Sequence, residues 1–257
     1  MTTPAVPTQM IILPIKATAT IENVSTPDGQ LWTQILDTLE AWPGFQRLYW
    51  GRHVEEADVT ELHVGTFSPS LVLRTYSAPK VIYTNRKRKT VRDTLQQHYS
   101  LLSSPEWARL TQQLTKLFTP ESTSPSAITV RHAQMSDFTP YPQGLGKGAP
   151  VTGTAIYLAV EDPADGWERV WALWTTLISR VRGCLGCSGG WVVEPVEGHP
   201  KCYTVWVGWE SVEIHDAYHY TKDFWKKRVI LGLHNLGWRE YGHVAFTEGR
   251  SRRAGRL

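Results

Sequence analysis

Val207-Gly208-Trp209-Glu210-Ser211 ends a strand-like run and opens a helical one, which passes through His215, Tyr218 and His219 to Thr221-Lys222-Asp223-Phe224-Trp225. The first half of the chain carries the same order. Val64-Gly65 is followed, after an interruption, by Asp93-Thr94-Leu95, His98 and Ser104-Pro105-Glu106-Trp107. With Asp93 set against Glu210 the two runs align without a gap: His98 falls on His215, Leu102 on His219 and Trp107 on Phe224. One module is therefore present twice, and at Leu102 the first copy has an apolar side chain where the second has an imidazole.

Working outward, Met10 to Ala17 reads as a strand rich in Ile and Leu, with Pro14 best placed at a sheet edge. Ser25-Thr26-Pro27-Asp28-Gly29 is a turn. Trp32, Ile35, Leu36 and Leu39 then share one helix face up to Pro43-Gly44. Phe45 to Gly51 and Val59 to Gly65 are two strands joined by the acidic turn Glu55-Glu56-Ala57-Asp58. A helix follows to about Ser103, and a second starts where Ser104 caps and Pro105 fills the first turn. After the turn-forming stretch Thr119 to Ser126, Ala127 to Gln134 closes the set. The second half repeats the order: strand Val151 to Val160, a helix with Trp167, Trp171, Trp174 and Ile178 on one face, and Gly183 closing it. Strands Trp191 to Glu194 and Cys202 to Trp209, helices Ser211 to His219 and Lys222 to Leu231, and strand Tyr241 to Phe246 complete it. Each half thus reads β-α-β-β-α-β, the ferredoxin-like order of an α+β fold with helices on one face of a four-stranded sheet. A sheet so covered leaves its other face needing a partner, and two modules in one chain supply each other's cover.

The charge pattern isolates one segment. Thr66 to Arg92 holds seven Lys or Arg and no acid, and taking those seven from 27 leaves 20 basic against 24 acidic residues. The remainder is mildly acidic, so general attraction to nucleic acid is not expected. The second half needs no insert at the matching place. Residues 66–92 are therefore expected to be a poorly ordered excursion, either a loop over a pocket or sequence carried in by a faulty gene model. The expected division is a first module over 9–134, a linker over 135–150, a second module over 151–247 and a basic tail over 248–257. No apolar run is long enough to span a bilayer and the N-terminus does not read as a secretory signal, so a soluble, cytoplasmic protein without membrane partners is expected. Cys184, Cys187 and Cys202 suit a reducing compartment. The Cys184-Leu185-Gly186-Cys187 pair lacks both a second pair and the strand-motif-helix setting of a redox site, and is expected to hold no metal. No Gly-rich phosphate loop stands in a strand-helix context, so no nucleotide cofactor is expected.

Pro43-Gly44-Phe45 leading to Tyr49-Trp50-Gly51, the Val-Gly-Trp-Glu-Ser strand end and the Ser-Pro-Glu-Trp helix start resemble the antibiotic-biosynthesis-monooxygenase-like family. The resemblance covers nearly everything from Gln9 to Thr247, as a tandem fusion of two domains. It implies an intramolecular dimeric α+β barrel, with a pocket between helices and sheet lined by alternate strand residues. In the strand Cys202 to Trp209 one face carries Trp206 and the other Trp209, and His63 is the counterpart of Trp206 in the repeat. With 12 Trp in the chain, an aromatic-lined cavity for a flat, hydrophobic small molecule is expected.

By the same resemblance His219, on a helix shortly before the next cap, is the first candidate base, with His215 one turn earlier on the same face. Trp206, Trp209, Tyr218, Trp191, His243 and His63 are the candidate substrate contacts. His53, His132, His199 and His234 show no partner pattern. The implied activity is small-molecule tailoring in secondary metabolism: a monooxygenase with no cofactor and no metal, in which a histidine deprotonates an aromatic or polyketide-like substrate. A cyclase or isomerase using the same base, a non-catalytic ligand-binding or stress-response barrel, and haem binding through a helix histidine are the alternatives. The expected state is a monomer with an internal pseudo-dimer, self-association being left open.

Overall fold

The computed structural model describes residues 6–66, 91–137, 149–158 and 166–251. The first half runs β1 (Val6–Pro14), α1 (Pro27–Glu40), β2 (Phe45–Arg52), β3 (Val59–Thr66), α2 (Val91–Leu102), α3 (Pro105–Leu114) and β4 (Thr129–Asp137). The second runs β5 (Val151–Leu158), α4 (Trp167–Ile178), β6 (Cys184–Val192), β7 (Cys202–Trp209), α5 (Val212–His219), α6 (Lys222–Lys227), β8 (Trp238–Val244) and β9 (Thr247–Ser251). Local chemistry repeats with the sequence. Gly44 and Gly183, which end the first helix of each half, sit at φ of 86° and 87°, a conformation that favours glycine. Ser104 Oγ accepts from Trp107 N and Thr221 Oγ1 from Phe224 N, both at 3.1 Å, so the matching helices start on matching caps.

All strands join one antiparallel sheet in the order β8-β5-β7-β6-β4-β1-β3-β2-β9. Each half contributes a ferredoxin-like set, β4-β1-β3-β2 and β8-β5-β7-β6, and β4 pairs with β6 across the seam. The other seam is made by the chain's last run. After β8 leaves β5, Val244 bridges to His53, Ala245 N donates to Arg52 O, and β9 pairs with β2. β8 and β9 lie at opposite ends of the strand order and follow one another in the chain, so the sheet closes into a barrel with no free outer edge along β2. The chain is thus an α+β protein in which two ferredoxin-like modules form a dimeric α+β barrel within one polypeptide.

Alternation along the strands sorts side chains into two environments. Ile11, Leu13, Leu62 and Val64 face the helices and pack with Trp32, Ile35, Leu36 and Leu39 of α1 in the first core. Ala155, Tyr157, Tyr203, Val205 and Trp209 do the same with Trp167, Trp171, Trp174 and Ile178 of α4 in the second. The opposite faces meet inside the barrel, where Met10, Tyr49, Met135, Trp206, Val244 and Phe246 cluster. The face of β7 that looks at the helices is therefore the one carrying Tyr203, Val205, Val207 and Trp209.

Several expectations are corrected. β1 is not an edge strand: it lies between β3 and β4, and Pro14 is accommodated because it is the strand's last residue. β6 starts at Cys184 rather than Trp191, so the Cys-x-x-Cys pair lies within a strand, and all three cysteines are free thiols. Lys222 to Leu231 is helical only to Lys227 and continues as a 3-10 turn, Arg228–Gly232. β4 extends to Asp137, three residues past the expected end at Gln134, and β9 occupies the start of the stretch read as a tail. The basic stretch, apart from its two ends, and residues 138–148 of the linker lie outside the described residues. Among the described residues no helix is long and apolar enough to cross a membrane.

Candidate active site

A cavity of about 940 Å³ lies between the sheet and helices of the second half. Its walls are aromatic: Trp171 and Trp174 from α4, Trp209 from the end of β7, Tyr218 from α5, Phe224 and Trp225 from α6, and Tyr241 from β8. Two imidazoles project into it from α5, where Ser211 Oγ caps the helix by accepting from Ile214 N at 3.3 Å. His215 is buried and stacks on Trp209, with ring centroids 4.4 Å apart. His219, one turn on, is half-buried with its ring 4.5 Å from both His215 and Phe224.

Behind His215 stands a hydrogen-bonded chain. His215 Nδ1 lies 2.6 Å from Nε2 of His243 on β8. His243 in turn donates its backbone N–H to Glu55 Oε2 at 2.9 Å and bonds through Nδ1 to Glu55 Oε1. Glu55 belongs to the β2-β3 turn of the first half, so this site is completed across the seam. Gly153 on β5 leaves the room: a Cβ there would come to 3.2 Å from His215 Cε1 and 3.7 Å from His243 Cδ2.

Electrostatics fixes the proton positions. Burial alone would raise the Glu55 carboxyl, but the two hydrogen bonds from His243 outweigh it and hold the group below the usual carboxylate range. An ionised Glu55 can only accept, so His243 Nδ1 carries a proton, and an uncharged His243 ring then accepts at Nε2 from His215 Nδ1–H. His215 is pulled down to about 2, by burial first and then by His219 and His243, and is neutral with an Nε2 lone pair. His219 is also lowered, chiefly by burial. The Tyr241 hydroxyl is pushed up by burial and by the Asp216 and Glu55 carboxylates, and stays protonated.

His215, Asp216 and His243 each bring one donor atom within 4.8 Å of the others, the one such group among the described residues. Two imidazoles on one cation, each at about 2.0–2.1 Å from it, would stand roughly 3 Å apart. In this structure His215 Nδ1 and His243 Nε2 face each other at 2.6 Å, within hydrogen-bond reach.

The first half repeats the carboxylate end of this chain. His132 on β4 donates its backbone N–H to Glu194 Oε2 at 2.7 Å and its Nδ1 lies 2.5 Å from Glu194 Oε1. Glu194 comes from the second half, at the same offset from Glu55 as Gly183 from Gly44. His98 on α2, the counterpart of His215, is 2% exposed with its ring 5.2 Å from that of His132.

Of the residues picked from sequence, His215, His219, Trp209 and Tyr218 line the cavity and His243 lies directly behind it. The other three lie outside the cavity lining. Trp206 and His63 meet inside the barrel with tilted rings 4.5 Å apart, because strand alternation turns both away from the helices. Trp191 packs edge-on against Tyr203, its Nε1 donating to Glu168 at 3.3 Å. Reading the sequence missed Glu55, Asp216, Gly153 and Tyr241. The match of Glu55 with Glu194 at the Gly44 to Gly183 spacing is the signal that could have found the first.

No family model matches the sequence, and no curated protein matches it significantly. Solved structures do match. An anthrone oxidase-like protein aligns over 100% of both chains with a TM-score of 0.57 at 10% identity. A candidate monooxygenase from Lactobacillus acidophilus NCFM aligns over 97% of this chain and 99% of its own, with a TM-score of 0.49 at 10% identity. A candidate antibiotic biosynthesis monooxygenase from Bordetella bronchiseptica aligns over 36% of this chain and 92% of its own, with a TM-score of 0.30 at 24% identity. At such identities the likeness is one of fold alone.

Proposed function

We propose that the second half binds a flat aromatic or polyketide-like small molecule and oxygenates it, as a tailoring monooxygenase of secondary metabolism that needs no bound cofactor. The observation that carries the reading is the Glu55–His243–His215 chain ending on a neutral imidazole in an aromatic cavity. Trp and Tyr walls suit a planar apolar guest, and a dry wall strengthens each polar contact inside. The full-length likeness to an anthrone oxidase-like protein supports the choice of substrate type, since an anthrone carries a CH2 group acidified by a conjugated carbonyl.

His215 Nε2 takes a proton from the substrate CH2. Buried, His215 holds a charge poorly, so it passes its Nδ1 proton to His243 Nε2, where the imidazolium faces the Glu55 carboxylate. The substrate anion reduces dioxygen, forming a C–O bond, and the relayed proton returns to give a carbon-bound hydroperoxide. Removal of the remaining C–H proton then breaks the O–O bond and releases water, so that CH2 and O2 become C=O and H2O. The ring of His219, at the cavity side of His215, orients the guest.

The test is oxygen uptake and ketone formation with anthrone, measured against the uncatalysed rate. Wild-type protein should exceed that rate, and His215→Gln should lose about 10²–10⁴-fold of the excess. Equal turnover under argon would replace the oxygenase by a cyclase or isomerase using the same base. No turnover on anthrone or on a panel of phenols and β-dicarbonyls would remove the enzymatic reading.

A further inference from the structure

We infer that the first half keeps a second, closed site in which a small uncharged molecule, offering both a hydrogen-bond donor and an acceptor, bridges Gln9, His98 and His132. The proposal does not rest on the activity above, because the residues belong to the other half of the chain.

The sheet register places Gln9 of β1 opposite His132 of β4, on the face that α2 covers. In the second half the residue opposite the sheet histidine is Gly153, paired with His243. A glutamine therefore stands where the working cavity has a glycine. The groups left there are unusual. Gln9 is fully buried and, among the described residues, neither its Nε2 nor its Oε1 has a partner; both ring nitrogens of His98 and Nε2 of His132 are also buried and have no partner among those residues. Such atoms are rare in folded proteins because each gives up its hydration for nothing in return.

Their chemistry is complementary to one kind of guest. His132 Nδ1 is committed to Glu194, which leaves Nε2 to meet a guest. His98 is held neutral, down to about 3, by burial and then by His132, so it presents one donor and one acceptor. The Gln9 amide does likewise. With no net charge to meet, the fitting groups are water, a hydroxyl or an amide. In the second half the two histidines bond directly; here they are stacked without a bond, and a bridging guest restores the chain to Glu194.

Gln9→Met, nearly isosteric, separates the outcomes. If a guest is held, the variant loses its hydrogen bonds and Tm should fall by about 2–4 °C. A rise in Tm would mean that an unpaired amide has been relieved, and would overturn the proposal. A high-resolution crystal structure of the wild-type chain gives a second reading: an isolated peak within 3.2 Å or so of two of these groups identifies water, extended density a hydroxyl- or amide-bearing metabolite. Direct protein contacts among the three residues, with no density between them, would refute it.

Discussion

At the scale of single residues, the account assigns unequal roles to two histidines one helical turn apart. Sequence reasoning ranked His219 first, because the family resemblance implies a pocket-facing histidine on the helix shortly before the next cap. The structure puts His215 in contact with the carboxylate relay and leaves His219 at its rim. The difference was not legible because Glu55 lies 188 residues from His243, and only closure of the barrel brings them together. The consequence is measurable in steady-state kinetics. Glu55→Gln keeps a hydrogen-bonding side chain but no longer stabilises an imidazolium at His243, so kcat should fall about 10²-fold or more with little change in KM. His219→Leu, which copies the first half, should mainly raise KM. If His219→Leu costs more kcat than Glu55→Gln, the relay is wrongly assigned.

At the scale of elements, most strands and helices were legible from periodicity and caps, since Trp32, Ile35, Leu36 and Leu39, or Trp167, Trp171, Trp174 and Ile178, can share a face only on a helix. The start of β6 was not. Cys184-Leu185-Gly186-Cys187-Ser188-Gly189-Gly190 reads as loop, but its glycines answer to packing. A Cβ on Gly189 would come to 2.5 Å from Trp171 Nε1 and 2.7 Å from Tyr203 Cε1, and one on Gly190 to 2.1 Å from Gln134 O on β4. These glycines let a helix and a neighbouring strand approach closely. Gly189→Ala should therefore destabilise the fold by about 1–3 kcal/mol, read as a lower denaturant midpoint at unchanged slope. An unchanged midpoint would show that Trp171 moves aside without cost.

At the scale of the whole molecule, the pseudo-dimer was legible from the repeat, whereas the closing role of β9 was not, because five residues of edge strand carry no pattern that names their partner. The duplicated histidines also give the chain a direction of pH sensitivity. His98 and His215 are held down to about 3 and about 2, chiefly by burial. Below their unperturbed value of 6.5 the unfolded chain binds protons that the folded one refuses, so stability falls with falling pH, by about 1.4 kcal/mol per pH unit for each group. Glu61 acts in the same direction at lower pH. Burial would raise it, but hydrogen bonds from His53 and His63 hold it at about 2, so its contribution is present above 4.5 and is lost as pH falls towards 2. Tm should thus decline steeply from pH 6 to pH 4, and a flat profile would mean that both histidines take up protons in the folded chain as readily as in the unfolded one. A chain with His98→Phe should show a shallower decline.

The measurement that tests the central claim most directly is the absorption spectrum of anthrone mixed with protein under argon, where deprotonation is seen apart from oxygen chemistry. Wild-type protein should generate the long-wavelength band of the substrate anion at neutral pH, and His215→Gln should leave the neutral spectrum unchanged. An anion band of equal height with His215→Gln would contradict the account.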